Sequence, residues 1–308
     1  MHRIRKMTVA SLAALFLLFA YAADVQTSPG IAEVASFATL APKATTLGKL
    51  LANPLLPPLL LSTMQQGLSS TYGHLRTDKP LFWVLSEPGV QEYDIPVLPL
   101  ADGIAQFALN NPGSQRSDDS SVHLMVTAER PDETYAVFDR GDGYVAFAST
   151  VDDGRRALAA TSAMRKAAHK NDGPVARVHV GEKSFASFTS SARGTNGVDV
   201  AKQVAGFDAE LSLDDGGLTI EARFVPKSGV SPAALCAELE KSIGASLASL
   251  GAAEGVRPAC RFTAGDKDVK AHIALPAEEM AKAGKAFNAA VVQALAPSTK
   301  PSKPAAGK

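Results

Sequence analysis

Residues 205–226, AGFDAELSLDDGGLTIEARFVP, constrain the fold more than any other stretch of the chain. Apolar and polar side chains alternate on both sides of Asp214-Asp215-Gly216-Gly217, which is the pattern of two strands joined by a tight turn. The chain is therefore expected to contain an antiparallel hairpin with one buried face. The apolar positions of that face are Phe207, Ala209, Leu211 and Leu213 in the first strand and Leu218, Ile220, Ala222 and Phe224 in the second.

Similar patterns occur along the rest of the chain. Alternating or short apolar runs predict strands at 33–42, 79–87, 93–100, 121–129, 134–140, 143–150 and 174–182, and a second hairpin at 259–275. Periodic apolar positions and capping residues predict helices at 44–54, 59–68, 101–111, 150–169, 232–250 and 277–295, with Thr150 as the N-cap of the fourth.

Helices follow runs of antiparallel strands in both parts of the chain. This order indicates an α+β fold, with antiparallel sheets flanked by helices. We interpret residues 33–170 and 171–296 as two related halves, although no repeat in the sequence is strict enough to prove a duplication.

The N-terminus has the three parts of a secretory signal peptide. Basic residues precede an apolar run at 7–20, and Ala20-Tyr21-Ala22 forms an A-x-A cleavage site. The alternative is a membrane anchor, but the run is shorter than the ~20 apolar residues that cross a bilayer. We expect cleavage after Ala22, export to the periplasm or the extracellular space, and no transmembrane segment in the mature chain.

The charge balance of the mature chain argues against a nucleic-acid partner. The chain has 31 basic and 31 acidic residues, and residues 1–22 contain three of the basic ones and no acid, which leaves 28 against 31. A general nucleic-acid binder has a basic face instead. Residues 23–32 are predicted to be a flexible mature N-terminus, and residues 297–308 a disordered tail rich in proline and lysine.

Cys236 and Cys260 are the two cysteines of the chain. In an oxidising compartment such a pair is typical of a disulfide. A zinc site needs more ligands than two cysteines, and no histidine lies near them in the sequence. We therefore predict a disulfide between them.

Asp139-Arg140-Gly141-Asp142-Gly143 lies between two strand-like runs and raises the question of a ligand site. Such residues supply the positive backbone angles and local hydrogen bonds that a hairpin turn requires. A calcium loop is longer and has an acid near its end. We interpret the segment as a turn, in preference to an ion site or an adhesion tripeptide.

Three segments of the first half share a layout: TDKPLFWVL at 77–85, IPVLPLADGIAQFAL at 95–109 and GYVAFASTVDDGRRAL at 143–158. A basic residue before proline opens a strand, a later strand ends in Pro-x-x-Asp at a helix start, and a Gly-aromatic strand leads to another helix. This layout resembles uncharacterised secreted α+β proteins of planctomycete-type bacteria. LSLDDGGLTIEARFVPKSG at 211–229 resembles the hairpin of the same group more weakly. The resemblance implies no catalytic residues.

Motifs for catalysis, cofactors and metals are absent from the sequence. There is no G-x-S-x-G, no phosphate-binding loop and no H-E-x-x-H. The carboxylate pairs at 118–119, 152–153 and 214–215 lie in a predicted loop, helix start and turn, where solvation or capping explains them. We therefore predict no catalytic residue, no cofactor and no metal ligand. The mature histidines His74, His123, His169, His179 and His272 are assigned structural roles.

These observations favour a non-enzymatic binding or scaffolding module of the cell envelope. One alternative is a hydrolase whose active site is assembled from residues far apart in sequence. A second alternative is a carrier of an apolar small molecule held against Leu55–Leu68, the most apolar segment of the mature chain. That segment is expected to form a helix, either buried or serving as a contact surface. The partner is an unidentified envelope component or an apolar small molecule.

Overall fold

The computed structural model describes residues 30–85, 94–103, 105, 115–116, 122–127, 130–167, 172–182, 200, 202–244 and 255–295. The predicted signal peptide, the predicted C-terminal tail and most of the predicted helix at 101–111 lie outside these ranges. Among the helices within them, none combines the length with the hydropathy that crossing a bilayer requires.

The described strands form one antiparallel sheet of 12 strands, in the order β11-β12-β10-β9-β8-β1-β2-β3-β7-β6-β5-β4. Together with the helices this confirms the predicted α+β class and its antiparallel pairing. The strands are β1 (Ile31–Val34), β2 (Leu81–Val84), β3 (Ile95–Pro99), β4 (Gln115–Arg116), β5 (Val122–Thr127), β6 (Arg130–Asp139), β7 (Tyr144–Ala148), β8 (Ala176–Gly181), β9 (Val204–Asp214), β10 (Gly217–Pro226), β11 (Ala259–Ala264) and β12 (Val269–Pro276).

The two predicted halves of the chain occupy the two ends of this sheet. Strands β8 to β12 lie on one side and β1 to β7 on the other, and the halves meet where β1 pairs with β8. The strands therefore continue through one sheet instead of forming two separate ones. The common origin of the halves stays a prediction.

Within the described ranges, five helices flank the sheet: α1 (Phe37–Leu50), α2 (Leu56–Tyr72), α3 (Val151–Lys166), α4 (Pro232–Leu239) and α5 (Ala277–Leu295). Helix α4 continues into a π-helical turn, Glu240–Gly244. The predicted helices at 59–68, 150–169 and 277–295 are confirmed by α2, α3 and α5. Thr150 caps α3 as predicted, because its hydroxyl oxygen accepts from the N–H of Asp153 at 3.1 Å.

The predicted strand at 33–42 is wrong beyond Val34. Helix α1 begins at Phe37, and the Ser36 hydroxyl caps it by accepting from the N–H of Thr39 at 3.2 Å. Phe37 and Leu40 are both buried, but they lie three positions apart on one side of a helix and not at alternate positions of a strand. Pro42 lies inside α1, in its second turn.

The hairpin of residues 205–226 is formed as predicted. Leu213 pairs with Leu218, and Phe207 pairs with Phe224. All eight apolar positions of the two strands are buried in the largest core cluster, and α1, α4 and α5 contribute side chains to that cluster.

The helices are distributed unequally between the two faces of the sheet. Helices α1, α2, α4 and α5 pack on one face, which carries two of the core clusters. Helix α3 packs on the opposite face, mainly over β2, β3, β6 and β7. The part of that second face formed by β8, β9, β10 and β12 therefore has no described helix over it, and the candidate site lies there.

Candidate functional site

The uncovered face of β8, β9, β10 and β12 carries charged side chains in two cross-strand rows. The pairing of β8 with β9 places Arg177 opposite Glu210 and His179 opposite Asp208. All four side chains lie on this face, because every second residue of a strand points to the same side of the sheet. The same register continues through β10 and β12. One row is Glu33, Arg177, Glu210, Glu221 and His272, and the other is His179, Asp208, Arg223 and Lys270.

Most of these charges are paired across the strands. Arg177 Nε donates to Glu210 Oε1 at 2.8 Å, and Arg223 Nε donates to Asp268 Oδ2 at 2.7 Å. His272 Nδ1 lies 2.6 Å from Glu221 Oε1. Opposite charges facing each other across strands stabilise a solvent-exposed sheet face, so these pairs have a structural role.

His179 and Asp208 form the most closely bonded histidine pair of this face. His179 Nδ1 lies 2.5 Å from Asp208 Oδ1, with both side chains about half-buried. The hydrogen bond to Asp208 raises the pKa of His179 above its ordinary value, while burial acts in the opposite direction. His179 is therefore protonated at higher pH than a free histidine.

These rows line an open groove of about 430 Å³ beside the end of α3. The groove runs over β8, β9, β10 and β12, with Met164 of α3 at its edge. Its polar lining residues are Arg177, His179, Asp208, Glu210, Glu221, Arg223 and Lys270. A serine, threonine or cysteine is not among the described lining residues, so a histidine–carboxylate pair is present without a side-chain nucleophile.

The Asp139 to Gly143 turn answers the question that its sequence raised. It joins β6 to β7, where Asp139 Oδ1 accepts from the N–H of Gly141 at 2.9 Å, as a hairpin turn requires. Both carboxylates also bind Arg165 of α3, which donates to Asp139 Oδ2 at 3.0 Å and also to Asp142. The turn therefore anchors α3 to the sheet.

Arg165 is held on several sides within this cluster. It donates to the carbonyl oxygen of Leu158 at 2.7 Å, and its guanidinium carbon lies 5.1 Å from the ring centroid of Tyr144. The Tyr144 hydroxyl donates to the carbonyl of Pro80 at 3.0 Å. Sequence reasoning missed Arg165, because an arginine in the last turn of a helix is usually exposed.

Helix α2 presents a second candidate site on the other side of the molecule. Its inner side chains Leu61, Leu68 and Tyr72 pack against the core, and the Tyr72 ring lies 4.5 Å from that of Phe147. Its outer side exposes four large apolar residues, which we call the leucine surface: Leu55 (79% exposed), Leu59 (62%), Leu60 (47%) and Met64 (41%). The predicted helix is therefore neither fully buried nor fully exposed: its inner side packs on the core, and part of its outer side is apolar and exposed.

Cys236 and Cys260 are half-buried free thiols in this structure. Burial, followed by the charge of Glu240, raises the pKa of both thiols. The N–H of Ala264 interacts with Cys236, and Ala264 lies about 13 Å along β11 from Cys260. No bridge joins the two thiols in this structure, and the disulfide stays a prediction that alkylation of the unreduced protein tests.

The other residues named from the sequence lie apart from these two sites. His74 Nδ1 lies 3.3 Å from Asp102 in an exposed pair. His169 and the Asp118-Asp119 pair are outside the described residues, and of His123 only the backbone, in β5, is described. Asp153 and Asp214 take the capping and turn roles expected of them.

Within the described ranges, no three side chains of His, Cys, Asp or Glu lie close enough together to hold a metal ion. His179 is paired with Asp208 and His272 with Glu221, so each histidine has a single carboxylate partner in its pair.

Comparison with known proteins assigns no family. No family model matches the sequence, and neither does any curated protein. Among solved structures, crystal form I of TP0453 aligns with 88% of this chain and 96% of its own at 4% identity and a TM-score of 0.37. A similarity at that TM-score carries no inference about fold or function. The resemblance to secreted planctomycete-type proteins stays a prediction.

Proposed function

We propose that the protein is an exported, non-enzymatic binding module of the cell envelope that uses the leucine surface of α2 for attachment. The observation that carries this proposal is the exposure of Leu55, Leu59, Leu60 and Met64 on a helix whose other side is packed against the sheet. Contiguous exposed apolar side chains of this kind mark contact surfaces in soluble proteins. The signal peptide predicted over residues 1–22 supports a contact outside the cytoplasm.

Helix α2 is suited to a contact because it is already ordered. Pro57 and Pro58 open it, and its backbone ends at Gly73, whose N–H donates to the carbonyl of Ser69 at 3.0 Å. A preformed surface loses little conformational entropy on binding. The outer leucines can therefore bind without any rearrangement of the sheet.

The alternative of an apolar-ligand carrier receives less support. A carrier would direct the side chains of residues 55–68 into an internal cavity, whereas the leucine surface points outwards. The groove on the opposite face is lined by charged side chains and does not include α2.

Hydrolysis is a second candidate function, favoured by the close His179–Asp208 pair in the groove. Such a pair is the base and its orienting acid in hydrolytic sites. Without a side-chain nucleophile in the described lining, His179 would have to activate water directly. If the protein is a hydrolase, His179→Asn should lose hydrolytic activity, and the control variant His74→Asn should keep it.

Envelope attachment is tested by fractionating cells that express the full chain. We expect an N-terminus at Ala23 by mass spectrometry and co-sedimentation of the protein with envelope material. The variant Leu55→Ser/Leu59→Ser should move to the soluble exported fraction, while Gln66→Ala/Ser70→Ala, which changes exposed polar positions of the same helix, should not. The proposal would be overturned if the protein stayed inside the cell with residues 1–22 uncleaved, or if both variants sedimented equally with envelope material.

A further inference from the structure

We propose that the leucine surface binds the interfacial region of a lipid bilayer, with Leu55, Leu59, Leu60 and Met64 inserted among the upper acyl chains. This inference rests on the proposed function, because it names the chemistry of the partner that the same surface contacts. Helix α2 would then lie in the plane of the interface and not cross the bilayer.

The distribution of charge around α2 favours lipid over other partners. Residues 50–75 contain no Asp, Glu, Lys or Arg in a chain that is 20% charged. A stretch of that length would carry about five charged residues at the average composition. A charged side chain is costly at the boundary of the hydrocarbon, so insertion explains their absence. A protein partner does not require it, since the rims of protein interfaces are polar and charged.

The size of the leucine surface also argues against a protein partner or a second copy of the chain. Four partly exposed side chains cover much less than the ~800 Å² that each partner contributes to a standard protein interface. The rest of the outer side of α2 consists of small uncharged residues such as Gln66, Gly67 and Ser70, which provide neither anchors nor charge complementarity. Insertion into lipid needs no complementary shape.

The ends of α2 are compatible with an interfacial position. Asn53 Oδ1 accepts from the N–H of Leu56 at 3.3 Å, so one of the free donors at the helix start is satisfied inside the protein. Lys49, the nearest charged residue before the helix in the sequence, is exposed in the last turn of α1.

The experiment measures co-sedimentation of the exported full-length protein with lipid vesicles. One set is neutral phosphatidylcholine, and the other contains about 30% anionic phosphatidylglycerol in the same lipid. We expect binding to both compositions with little salt dependence. Leu55→Ser/Leu59→Ser should bind about 100-fold more weakly, since two leucines lose most of their transfer free energy. The control Gln66→Ala/Ser70→Ala should bind like the wild type.

A local readout separates α2 from any other apolar segment of the chain. The chain has one tryptophan, Trp83, in β2 on the core side of the sheet. The variant Leu60→Trp adds a reporter on the leucine surface. Brominated phosphatidylcholine should quench the added emission in vesicles and leave Trp83 emission in the wild type nearly unchanged.

Three outcomes would contradict lipid binding. They are no sedimentation with either vesicle type, binding to anionic vesicles that the leucine variant retains, or a lipid-free dimer in analytical ultracentrifugation that the leucine variant abolishes. In the first and third cases, loss of envelope sedimentation in the leucine variant would still support the proposed function with a protein partner. Vesicle binding without envelope attachment would contradict the function and leave the lipid chemistry intact.

Discussion

Arg165 donates from Nη2 to Oδ2 of Asp139 at 3.0 Å, with the arginine side chain 1% exposed and the aspartate 34% exposed. Burial raises the pKa of Asp139, but the N–H of Gly141 and the guanidinium of Arg165 lower it by more, so the carboxyl titrates below its ordinary value. A single buried cation thus connects the last turn of α3 to the β6–β7 hairpin.

Replacing Arg165 with methionine should destabilise the fold. The variant leaves two carboxylates without their cation, but both are partly exposed and regain water, so we expect a loss of about 2 kcal/mol in the free energy of unfolding. Urea denaturation of Arg165→Met against the wild type measures this. Arg155→Met, an exposed position of the same helix, should lie within about 0.5 kcal/mol of the wild type. Equal effects of the two substitutions would contradict the anchoring role.

The Asp208 carboxylate should make His179 lose its proton at a higher pH than a free histidine does. Because the pKa of His179 is raised in the folded protein, the pair stabilises fully below the unfolded value, ~6.5, and loses this contribution as pH rises through the folded pKa. Nuclear magnetic resonance titration of the imidazole measures the shift. In Asp208→Asn we expect the His179 midpoint to fall. An unchanged midpoint would show that Asp208 does not raise the pKa of His179.

The stabilisation from this pair should be small, since both side chains are more than 40% exposed. We expect His179→Asn to cost less than ~1 kcal/mol at pH 5.5 and close to nothing at pH 9. A cost that grows with pH would have the wrong sign for a raised pKa.

Two helical glycines should respond to alanine with opposite signs. Gly284 of α5 faces α1 so closely that a Cβ would overlap the carbonyl of Leu51, whereas nothing lies within 4 Å of a Cβ at Gly67 of α2. Gly284→Ala should therefore destabilise by about 1–3 kcal/mol, and Gly67→Ala should stabilise by about 0.5–1 kcal/mol through helix propensity. Thermal unfolding distinguishes them. A stabilising Gly284→Ala would mean that α5 does not contact α1 at this point.

The cap of α3 should be worth about 1 kcal/mol. Thr150 accepts from the N–H of Asp153 and donates to its Oδ2 at 2.7 Å. Thr150→Ala should lower the free energy of unfolding by that amount, and Thr150→Ser should restore it because the hydroxyl is kept. If serine is as costly as alanine, the threonine methyl and not the cap carries the effect.

Local patterns predicted most of the individual elements. Alternation over 205–226 predicted both the strands and their pairing, because residues joined by a short turn face each other in one register. The N-cap at Thr150 and the helix at Ala277–Leu295 followed in the same way. Where two local patterns competed, as at Phe37 to Leu40, tertiary burial on a helix prevailed over the strand-like run.

The candidate sites depended on contacts between distant residues. His179 and Asp208 are 29 positions apart, and their meeting is decided by the register of β8 on β9. Arg165 reaches Asp139 because α3 packs close to β6. This close packing depends on Gly154, since a Cβ at that position would overlap the side chain of Val137. None of these distances is encoded in a short motif.

By itself, the sequence determined the α+β class, the hairpins, the N-cap at Thr150 and a leucine-rich helix, since these arise from interactions between near neighbours in the chain. Only the tertiary structure decided that one sheet joins both halves, that four helices share one of its faces, and that Leu55 and Leu59 remain outside the core. The physical reason is that a helix with more apolar residues than one side can hold does not itself specify which of them face the sheet. Which side stays exposed depends on how Leu61, Leu68 and Tyr72 fit the sheet.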